Sequence, residues 1–287
     1  MISMKKTKIF NRKIKNSEDG VAGVVVAILM IGLIITALGF IQGIYIPQWM
    51  EQKEAEHMEE IQNQFSQLKF AIDTLSLAEK EYSTISTPIT LGSKEMPFLT
   101  STRSYGSLKV NQEDCEIIIT ANGNVEYPFV LGALTYTSDN AYLIEQSLSY
   151  ETGGVILSQE DGDIITIQPS VYMNEQQALS FEMIRLIGIS GKTTASGYGT
   201  YPVQTRYSDS NTQRIGNVKK ITINNTHPNA WEKFFDNLFK NYDDINCTIE
   251  NNNVVIKPES DSVDATIPDV SIHLTDIKIQ ISPGWVE

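Results

Sequence analysis

The chain has 287 residues, of which 41% are hydrophobic and 20% charged, and its formal net charge is -13. This length allows the chain to bury a core of its own. Residues 1–20 carry six basic and two acidic side chains, a net charge of +4, so the remaining residues carry -17. Phosphate groups would repel so acidic a domain, which argues against a nucleic-acid partner. An acidic surface otherwise indicates only solubility.

The first predicted element is a transmembrane helix over residues 21–46, a segment without a charged residue. A run of about 20 apolar residues crosses the hydrocarbon core of a bilayer as a helix. The run is longer than the ~7–15-residue apolar region of a cleaved secretory signal, which favours a retained anchor in the lipid membrane. Basic residues stay on the cytoplasmic side of a span. The basic leader, residues 1–20, therefore predicts a cytoplasmic N-terminus and an extracellular C-terminal domain.

The leader ends in Ser17-Glu18-Asp19-Gly20 and continues directly into an apolar segment, which reads GVAGVVVAILMIGLIITALGF from Gly20. This junction resembles the N-terminus of archaeal type IV pilins and pilin-like surface proteins, which carry a class III signal peptide. In that family a prepilin-type peptidase cuts before the hydrophobic segment, so the resemblance implies processing at Gly20 and Val21. Glu18 and Asp19 depart from the basic residues usual in archaellins. Residues 150–163, YETGGVILSQEDGD, are similar to uncharacterised methanogen membrane proteins with the same N-terminus.

Small residues form a stripe along one face of the apolar helix, at Gly32, Thr36, Gly39 and Gly43. Such residues let helices approach closely in lipid. In a pilin this face would pack against neighbouring subunits, which predicts a homo-oligomer through the N-terminal helix. Glycine is also common in membrane helices, and this alternative stays open.

Residues 47–80 are predicted to form a helical neck. Pro47 has no backbone donor and predicts a kink at its start. Apolar residues then recur at steps of three and four, which is a heptad seam of about two and a half repeats. The seam either docks on the protein's own head or pairs with a second copy. Its members are Met58, Ile61, Phe65, Leu68, Ile72 and Leu75.

Residues 81–287 are predicted to form a β-rich extracytoplasmic domain, because short β-type runs alternate with turn residues. Strands are expected at 117–120, 125–130, 150–157, 164–167, 218–223, 245–249 and 254–257. In the last strand the apolar residues change phase between 274 and 277, which predicts a bulge or bend near Thr275 and Asp276. The fold class expected is α+β, a long N-terminal helix followed by a predominantly antiparallel β-sandwich-like head with one covering helix. That covering helix is marked by Trp231, Phe234, Phe235, Leu238 and Phe239.

Two kinds of modification are possible in the exported part. Cys115 and Cys247 could form one disulfide, or they could be two buried free thiols. Asn224 and Asn246 each begin an Asn-x-Thr sequon and are candidate N-glycan acceptors.

Motifs for catalysis, cofactors and metals are weak throughout. The Gly-Lys-Thr at 191–193 lacks the first glycine of a phosphate-binding loop, since that position is Leu186. Histidines lie far apart, at His57, His227 and His273. An acidic turn lacks the alternating ligands of a calcium loop, at Glu160, Asp161 and Asp163. The sequence therefore predicts no enzyme, no cofactor and no metal site.

These features together favour a pilin-like membrane-anchored cell-surface protein with a structural or adhesive role. Its more specific form is a filament subunit. The alternative is a single-pass membrane-tethered binding or sensory ectodomain that does not polymerise.

Overall fold

A computed structural model describes residues 17–93, 104–174, 178–189, 191–242, 244–260, 265–267 and 269–282. The chain divides after Trp49 into two compact units. The basic residues of the leader, up to Lys15, lie outside the described residues.

The described residues contain three α-helices. Helix α1 spans Ser17–Phe40, a π-helical turn spans Ile41–Tyr45, and α2 spans Ile46–Ala78. Helix α3, Pro228–Phe239, has its proline in the first turn, where a missing N–H costs nothing. The apolar residues of α3 are buried, as its spacing predicts, apart from the half-buried Leu238.

Sixteen strands form three sheets in the part of the chain that the structure describes. They are β1 (Thr84–Thr90), β2 (Tyr105–Asn111), β3 (Cys115–Ala121), β4 (Val125–Val130), β5 (Ala133–Asp139), β6 (Gln146–Glu151), β7 (Gly154–Gln159), β8 (Gly162–Ile167), β9 (Val171–Met173), β10 (Leu179–Gly188), β11 (Thr194–Gly197), β12 (Thr200–Ile215), β13 (Val218–Asn225), β14 (Ile245–Glu250), β15 (Asn253–Pro258) and β16 (Val270–Ile281). The central sheet has the order β1-β12-β16-β10-β9. A six-stranded sheet has the order β11-β2-β5-β6-β7-β8, and a third the order β14-β15-β13-β3-β4.

All strand pairs within the sheets are antiparallel except β10 with β16. The head is therefore the predominantly antiparallel, β-sandwich-like domain that the sequence predicts, and the fold class is α+β. Three sheets build it, because two separate cores must be covered.

The first core lies among α3, the sheet that contains β3 and β13, and the first halves of β10 and β16. The second core lies among α2, the six-stranded sheet and the second halves of the same two strands. Val270 and Ile272 face the first core, whereas Ile277 and Ile279 face the second. Successive residues of a strand point to opposite faces, so this change of core explains the change of apolar phase.

The predicted bulge near Thr275 and Asp276 is present at that place in the β12–β16 pair, but its extra residue is not in β16. β16 pairs with β10 without a shift in register. The extra residue lies in the neighbouring strand β12, between Tyr207 and Asp209, opposite Asp276 and Ile277. β16 itself has no extra residue, and its two faces contribute to the two cores.

The predicted single strand at 150–157 is also wrong, because two strands with a tight turn occupy this segment. Glu151 pairs with Gly154 across Thr152 and Gly153. Both turn residues have positive φ, 36° and 88°, as a two-residue type I′ hairpin requires. By contrast, the strands predicted at 117–120 and 125–130 and at 245–249 and 254–257 are confirmed, and each pair forms an antiparallel hairpin.

Candidate functional site

The first candidate region is the apolar helix. Its large side chains from Val21 to Tyr45 are exposed, and within the described residues it is the one helix long and apolar enough to cross a membrane. It could therefore form a single membrane span. Gly20 and Val21, the predicted processing positions, lie inside α1, which begins at Ser17.

The small-residue face of this helix is open. A methyl group added at Gly32, Gly39 or Gly43 would meet no atom within 4 Å, apart from the neighbouring helix backbone. Thr36 donates its hydroxyl hydrogen bond to the Gly32 carbonyl at 2.8 Å, so its polar group is satisfied within the helix. This face can accept a close neighbour, and the packing assigned to it stays a prediction.

A π-turn stands just before Pro47. The Ile46 amide donates to the Ile41 carbonyl, five residues back. A proline ring crowds the carbonyl four residues earlier, here that of Gly43, and π-turns are one recognised cause of helix kinks. The π-turn is thus an irregularity of the helix just upstream of the proline, and the kink expected at Pro47 stays a prediction.

The second candidate region is the neck, whose seam was expected either to dock on the head or to pair with a second copy. All six seam residues, Met58 to Leu75, are almost completely buried and belong to the second core of the head. The seam docks on the protein's own domain, and it is not available for pairing with a second copy.

A buried carboxylate extends this docking beyond the apolar seam. Glu54 has no exposed surface, and its two oxygens accept hydrogen bonds from the backbone amides of Ala141, Tyr142 and Leu143 at 2.7–2.9 Å. Ionised acceptors make the stronger hydrogen bonds of proteins. Glu54 lies four residues before Met58, so it continues the heptad spacing. A glutamate at a seam position is the signal in the sequence that could have identified this contact.

Two further side chains of α2 bind the strand that follows the neck. Gln64 accepts a hydrogen bond from the Thr90 amide at 2.8 Å. His57 Nε2 lies 3.2 Å from the Leu91 carbonyl and 3.1 Å from the Tyr136 hydroxyl. Burial raises the pKa of Tyr136 to about 12, so the phenol stays protonated and donates to the same carbonyl at 2.8 Å. His57 is thus part of the packing.

The third candidate region is a buried polar cluster around Glu151. This carboxylate has no exposed surface and accepts hydrogen bonds from Trp231 Nε1 at 2.9 Å and from the Thr226 hydroxyl at 3.1 Å. Its Oε1 lies 3.7 Å from His227 Nε2. Burial raises the pKa of Glu151, while His227 and the two hydrogen-bond donors lower it part of the way back. The cluster joins β6 to the start of α3.

Within this cluster the side chains of a serine, a histidine and an aspartate lie next to one another in that order. Ser149 Oγ lies 3.1 Å from His227 Nε2, and His227 Nδ1 lies 3.5 Å from Asp163 Oδ1. A catalytic triad uses the same order of contacts. Ser149 is only 1% exposed, however, and its hydroxyl also lies 3.0 Å from that of Thr135. A substrate cannot reach this serine in the present conformation, so the arrangement holds two sheets together.

The sequence did not identify this cluster, because Ser149, Asp163 and His227 are distant along the chain. Only the packing of β6 and β8 against α3 brings them together. In the sequence, Asp163 belongs to the acidic turn that lacks the alternating ligands of a calcium loop. Within the described residues no group of three His, Cys, Asp or Glu side chains is placed to hold a metal ion.

Of the two alternatives open for the cysteines, one disulfide or two buried free thiols, the structure shows the free thiols. Cys115 and Cys247 are buried free thiols in the first core. They lie on β3 and β14, three strand spacings apart, or roughly 14 Å, whereas a disulfide needs a Cα separation of about 4.4–6.8 Å. Burial raises the pKa of the Cys247 thiol to about 12 and that of Cys115 well above its usual range.

The two sequons differ in their surroundings. Asn224 is exposed at the end of β13, whereas Asn246 is half-buried in β14. The threonine of the second sequon, Thr248, has a buried hydroxyl without a hydrogen-bond partner among the described residues. Glycosylation of both stays a prediction, and Asn224 is the more accessible acceptor.

The fold and these regions define a class, an α+β protein with one apolar helix that could span a membrane and a mostly antiparallel β head. The chain belongs to a family of unknown function, DUF7289, whose model matches residues 20–279. The match includes the apolar helix as well as the head. No curated protein and no solved structure matches the chain.

Proposed function

We propose that this chain is a pilin-like, membrane-anchored cell-surface protein with a structural or adhesive role. The observation that carries the proposal is the division of one N-terminal helical segment into two chemically different parts. Residues 21–45 expose apolar side chains on every face, and residues 50–78 bury a seam in the β head. An N-terminal helical segment with an apolar first part and a second part that packs on a head is the arrangement found in pilins.

The charges support an orientation. The six basic residues of the leader favour a cytoplasmic N-terminus, which leaves the acidic head outside the cell. The family match begins at residue 20 and contains the whole apolar helix, so this helix belongs to what the family shares. Both points agree with an anchor that is kept after any processing at Gly20 and Val21 by a prepilin-type peptidase.

Assembly into filaments is the finer form of the proposal. The open face at Gly32, Gly39 and Gly43 supports it, because small residues permit close helix contacts in lipid. The apolar seam of the neck takes no part in assembly, because it is already buried against the head. Contacts between copies would then be made by the apolar helix and by the outer surfaces of the head.

The test combines protease treatment of whole cells with mass spectrometry of the mature N-terminus. We expect the head to be digested from outside and the mature chain to begin at or near Val21. A Gly39→Leu/Gly43→Leu variant should keep its anchor and lose assembly. An intact Met1 with single anchored copies would instead favour the tethered binding or sensory ectodomain. A head protected in intact cells would contradict both.

A further inference from the structure

One end of the head carries four large apolar side chains that belong to neither core. Their exposed fractions are 39% for Tyr105, 41% for Tyr142, 42% for Tyr198 and 53% for Ile144. We call these four residues the apolar rim. Single exposed apolar side chains are normal on a protein surface, whereas a group of them at one place marks an interaction surface.

The residues of the apolar rim lie next to one another although they are far apart along the chain. The rings of Tyr105 and Tyr198 meet edge to face, with their centroids 5.4 Å apart. Tyr105 also pairs with Asp139 across β2 and β5. From Asp139 the chain continues into the loop that holds Tyr142 and Ile144. The rim is therefore one surface, formed where β5 and β11 end and β2 and β12 begin.

Half of the rim is fixed beside the start of the neck. Glu54 lies in the first turns of α2, and its carboxylate accepts hydrogen bonds from the three amides of residues 141–143. Tyr142 is thus held next to a point of the helix that is eight residues beyond Ile46, where α2 begins. At 1.5 Å per residue, eight residues of helix are about 12 Å long.

A second contact with α2 fixes the other half of the rim. His57 Nε2 lies 3.2 Å from the Leu91 carbonyl oxygen. The next residue, Gly92, lies so close to Tyr198 that a methyl group added at Gly92 would be 2.8 Å from the Tyr198 Cα. A glycine permits this close approach of two backbone segments. Both halves of the rim are therefore tied to the first turns of α2.

The covalent chain keeps this end of the head near the bilayer that holds the anchor. The apolar helix could span a membrane, and no residue from Val21 to Met50 is charged. About 20 residues of helix cross the hydrocarbon core, and each headgroup layer adds about 5–8 Å. Glu54 is at most about 12 Å beyond Ile46, so the rim stays close to the headgroups at any angle of the neck.

The charges at this end of the head disfavour an anionic lipid surface. Lys53 pairs with Glu56 at 2.6 Å, and the charge of Glu54 is taken up by three amides. Asp139 and Glu145 are exposed beside the rim and would repel anionic headgroups. Tyrosine rings need no lipid charge, because the ring is apolar and the hydroxyl can stay in water, which suits the membrane interface.

We propose that the apolar rim lies in the headgroup layer of the membrane that anchors the chain, and that it favours zwitterionic over anionic lipid. This inference rests on the proposed membrane anchor and extends it from the apolar helix to the head. The three tyrosines contact the interface as aromatic belts do in membrane proteins. In the anchored chain the rim therefore holds one end of the head against the bilayer.

The experiment measures the depth of a fluorescent label in the full chain, reconstituted in phosphatidylcholine vesicles that contain nitroxide lipids. Ile144→Cys carries the label on the rim, and Leu29→Cys carries it in the apolar helix. Tyr82→Cys is the control, since Tyr82 is 76% exposed and follows the far end of α2, about 36 Å of helix from Glu54. The two native cysteines are buried and should not react.

Each label should have its own pattern of quenching. We expect headgroup nitroxides to quench the label at residue 144, and acyl-chain nitroxides to quench the label at residue 29. Neither should quench the label at residue 82. Replacing part of the phosphatidylcholine by phosphatidylserine should weaken headgroup quenching at residue 144, and added salt should restore it.

A combined variant tests the tyrosines of the rim. Tyr105→Ser/Tyr142→Ser/Tyr198→Ser should reduce headgroup quenching of the label at residue 144 by about twofold or more, because serine has no preference for the interface. Tyr82→Ser is the matched control and should leave the quenching unchanged. Chemical denaturation checks that the head of each variant is folded. The result with the label alone does not depend on these variants.

The outcomes separate the rim from the anchor. Quenching at residue 29 without quenching at residue 144 would overturn the rim and leave the anchor intact. Absence of quenching at both would overturn the anchor itself. A label at residue 144 that aqueous iodide and nitroxide lipid both fail to quench would also overturn the rim, because a protein surface such as a second copy would then cover it. Equal quenching at residues 82 and 144, or stronger quenching in phosphatidylserine, would contradict the proposal as well.

Discussion

The two parts of the N-terminal helical segment, residues 21–45 and 50–78, have the same secondary structure and opposite surfaces. In the first part Leu29 and Leu33 are each 67% exposed, and no side chain is charged. In the second part Phe65 and Leu68 have no exposed surface, and polar residues cover most of the opposite face. A helix is formed in both because the local sequence favours one. The pattern of apolar residues decides the surroundings of each part. Apolar side chains cover every face of the first part, which suits lipid, and form a single stripe on the second part, which suits packing on the head.

The largest effect is expected from two charges introduced into the first part, where they test whether its apolar surface lies in lipid. A Leu29→Arg/Leu33→Arg variant should cost about 6 kcal/mol of membrane insertion and reduce the membrane-bound fraction. The matched control is Phe70→Arg/Leu77→Arg, since both residues are exposed on the neck. Carbonate extraction followed by immunoblotting measures the fraction. An unchanged fraction in the first variant would mean that the helix is not a span.

A truncation in the second part tests the docked seam. Phe65→Ala should lower the free energy of unfolding of the head by about 3–5 kcal/mol, because a fully buried ring leaves a cavity. Phe70→Ala, five residues later and 74% exposed, should change it by less than about 0.5 kcal/mol. Chemical denaturation of the full chain in detergent compares the two. Equal losses would show that the neck is not docked in solution.

The polar end of the seam is expected to contribute less. Glu54→Ala leaves three backbone amides, those of residues 141–143, without their acceptor and should cost about 1–3 kcal/mol. Hydrogen exchange of these amides should become faster at the same time. The exposed Glu59 provides the control, since Glu59→Ala should leave both measurements unchanged. Slow exchange in Glu54→Ala would assign the protection to another contact.

The smallest effect concerns pH and the buried carboxylate of the head. The folded-state pKa of Glu151 is raised, so its contribution to stability is fully present below about 4.5 and is lost as the pH rises through the folded-state value. A glutamine at this position does not titrate, so its contribution to stability does not change with pH. The melting temperature of Glu151→Gln minus that of the wild type should therefore increase with pH. A difference that decreases with pH would mean that the fold prefers the ionised carboxylate.

The parts of the fold that could be predicted are those with a short-range cause. The strands at 117–120 and 125–130, the aromatic stripe of α3 and the seam of the neck each follow from residues within a few positions of one another. The hairpin at Thr152 and Gly153 was missed, although its glycine is the residue that a type I′ turn requires. The apolar run around it has the composition of one continuous strand.

The candidate sites divide in the same way. The open glycine face could be read from spacing alone, whereas the Glu151–His227 cluster could not. Glu151 lies more than 70 residues along the chain from Thr226, His227 and Trp231, which it meets in the fold. The choice between a disulfide and two free thiols stayed open for the same reason, because the positions of two cysteines in the sequence do not show which strands separate them.

The sequence by itself determined the apolar helix, the helical neck and the β-rich character of the head, because each depends on local composition and period. The tertiary structure alone decided that the neck docks on its own head and that β10 and β16 serve two cores with opposite faces. It also decided that Cys115 and Cys247 stay apart. The physical reason is that burial depends on which surfaces meet, and surfaces from distant parts of the chain meet only in the folded protein.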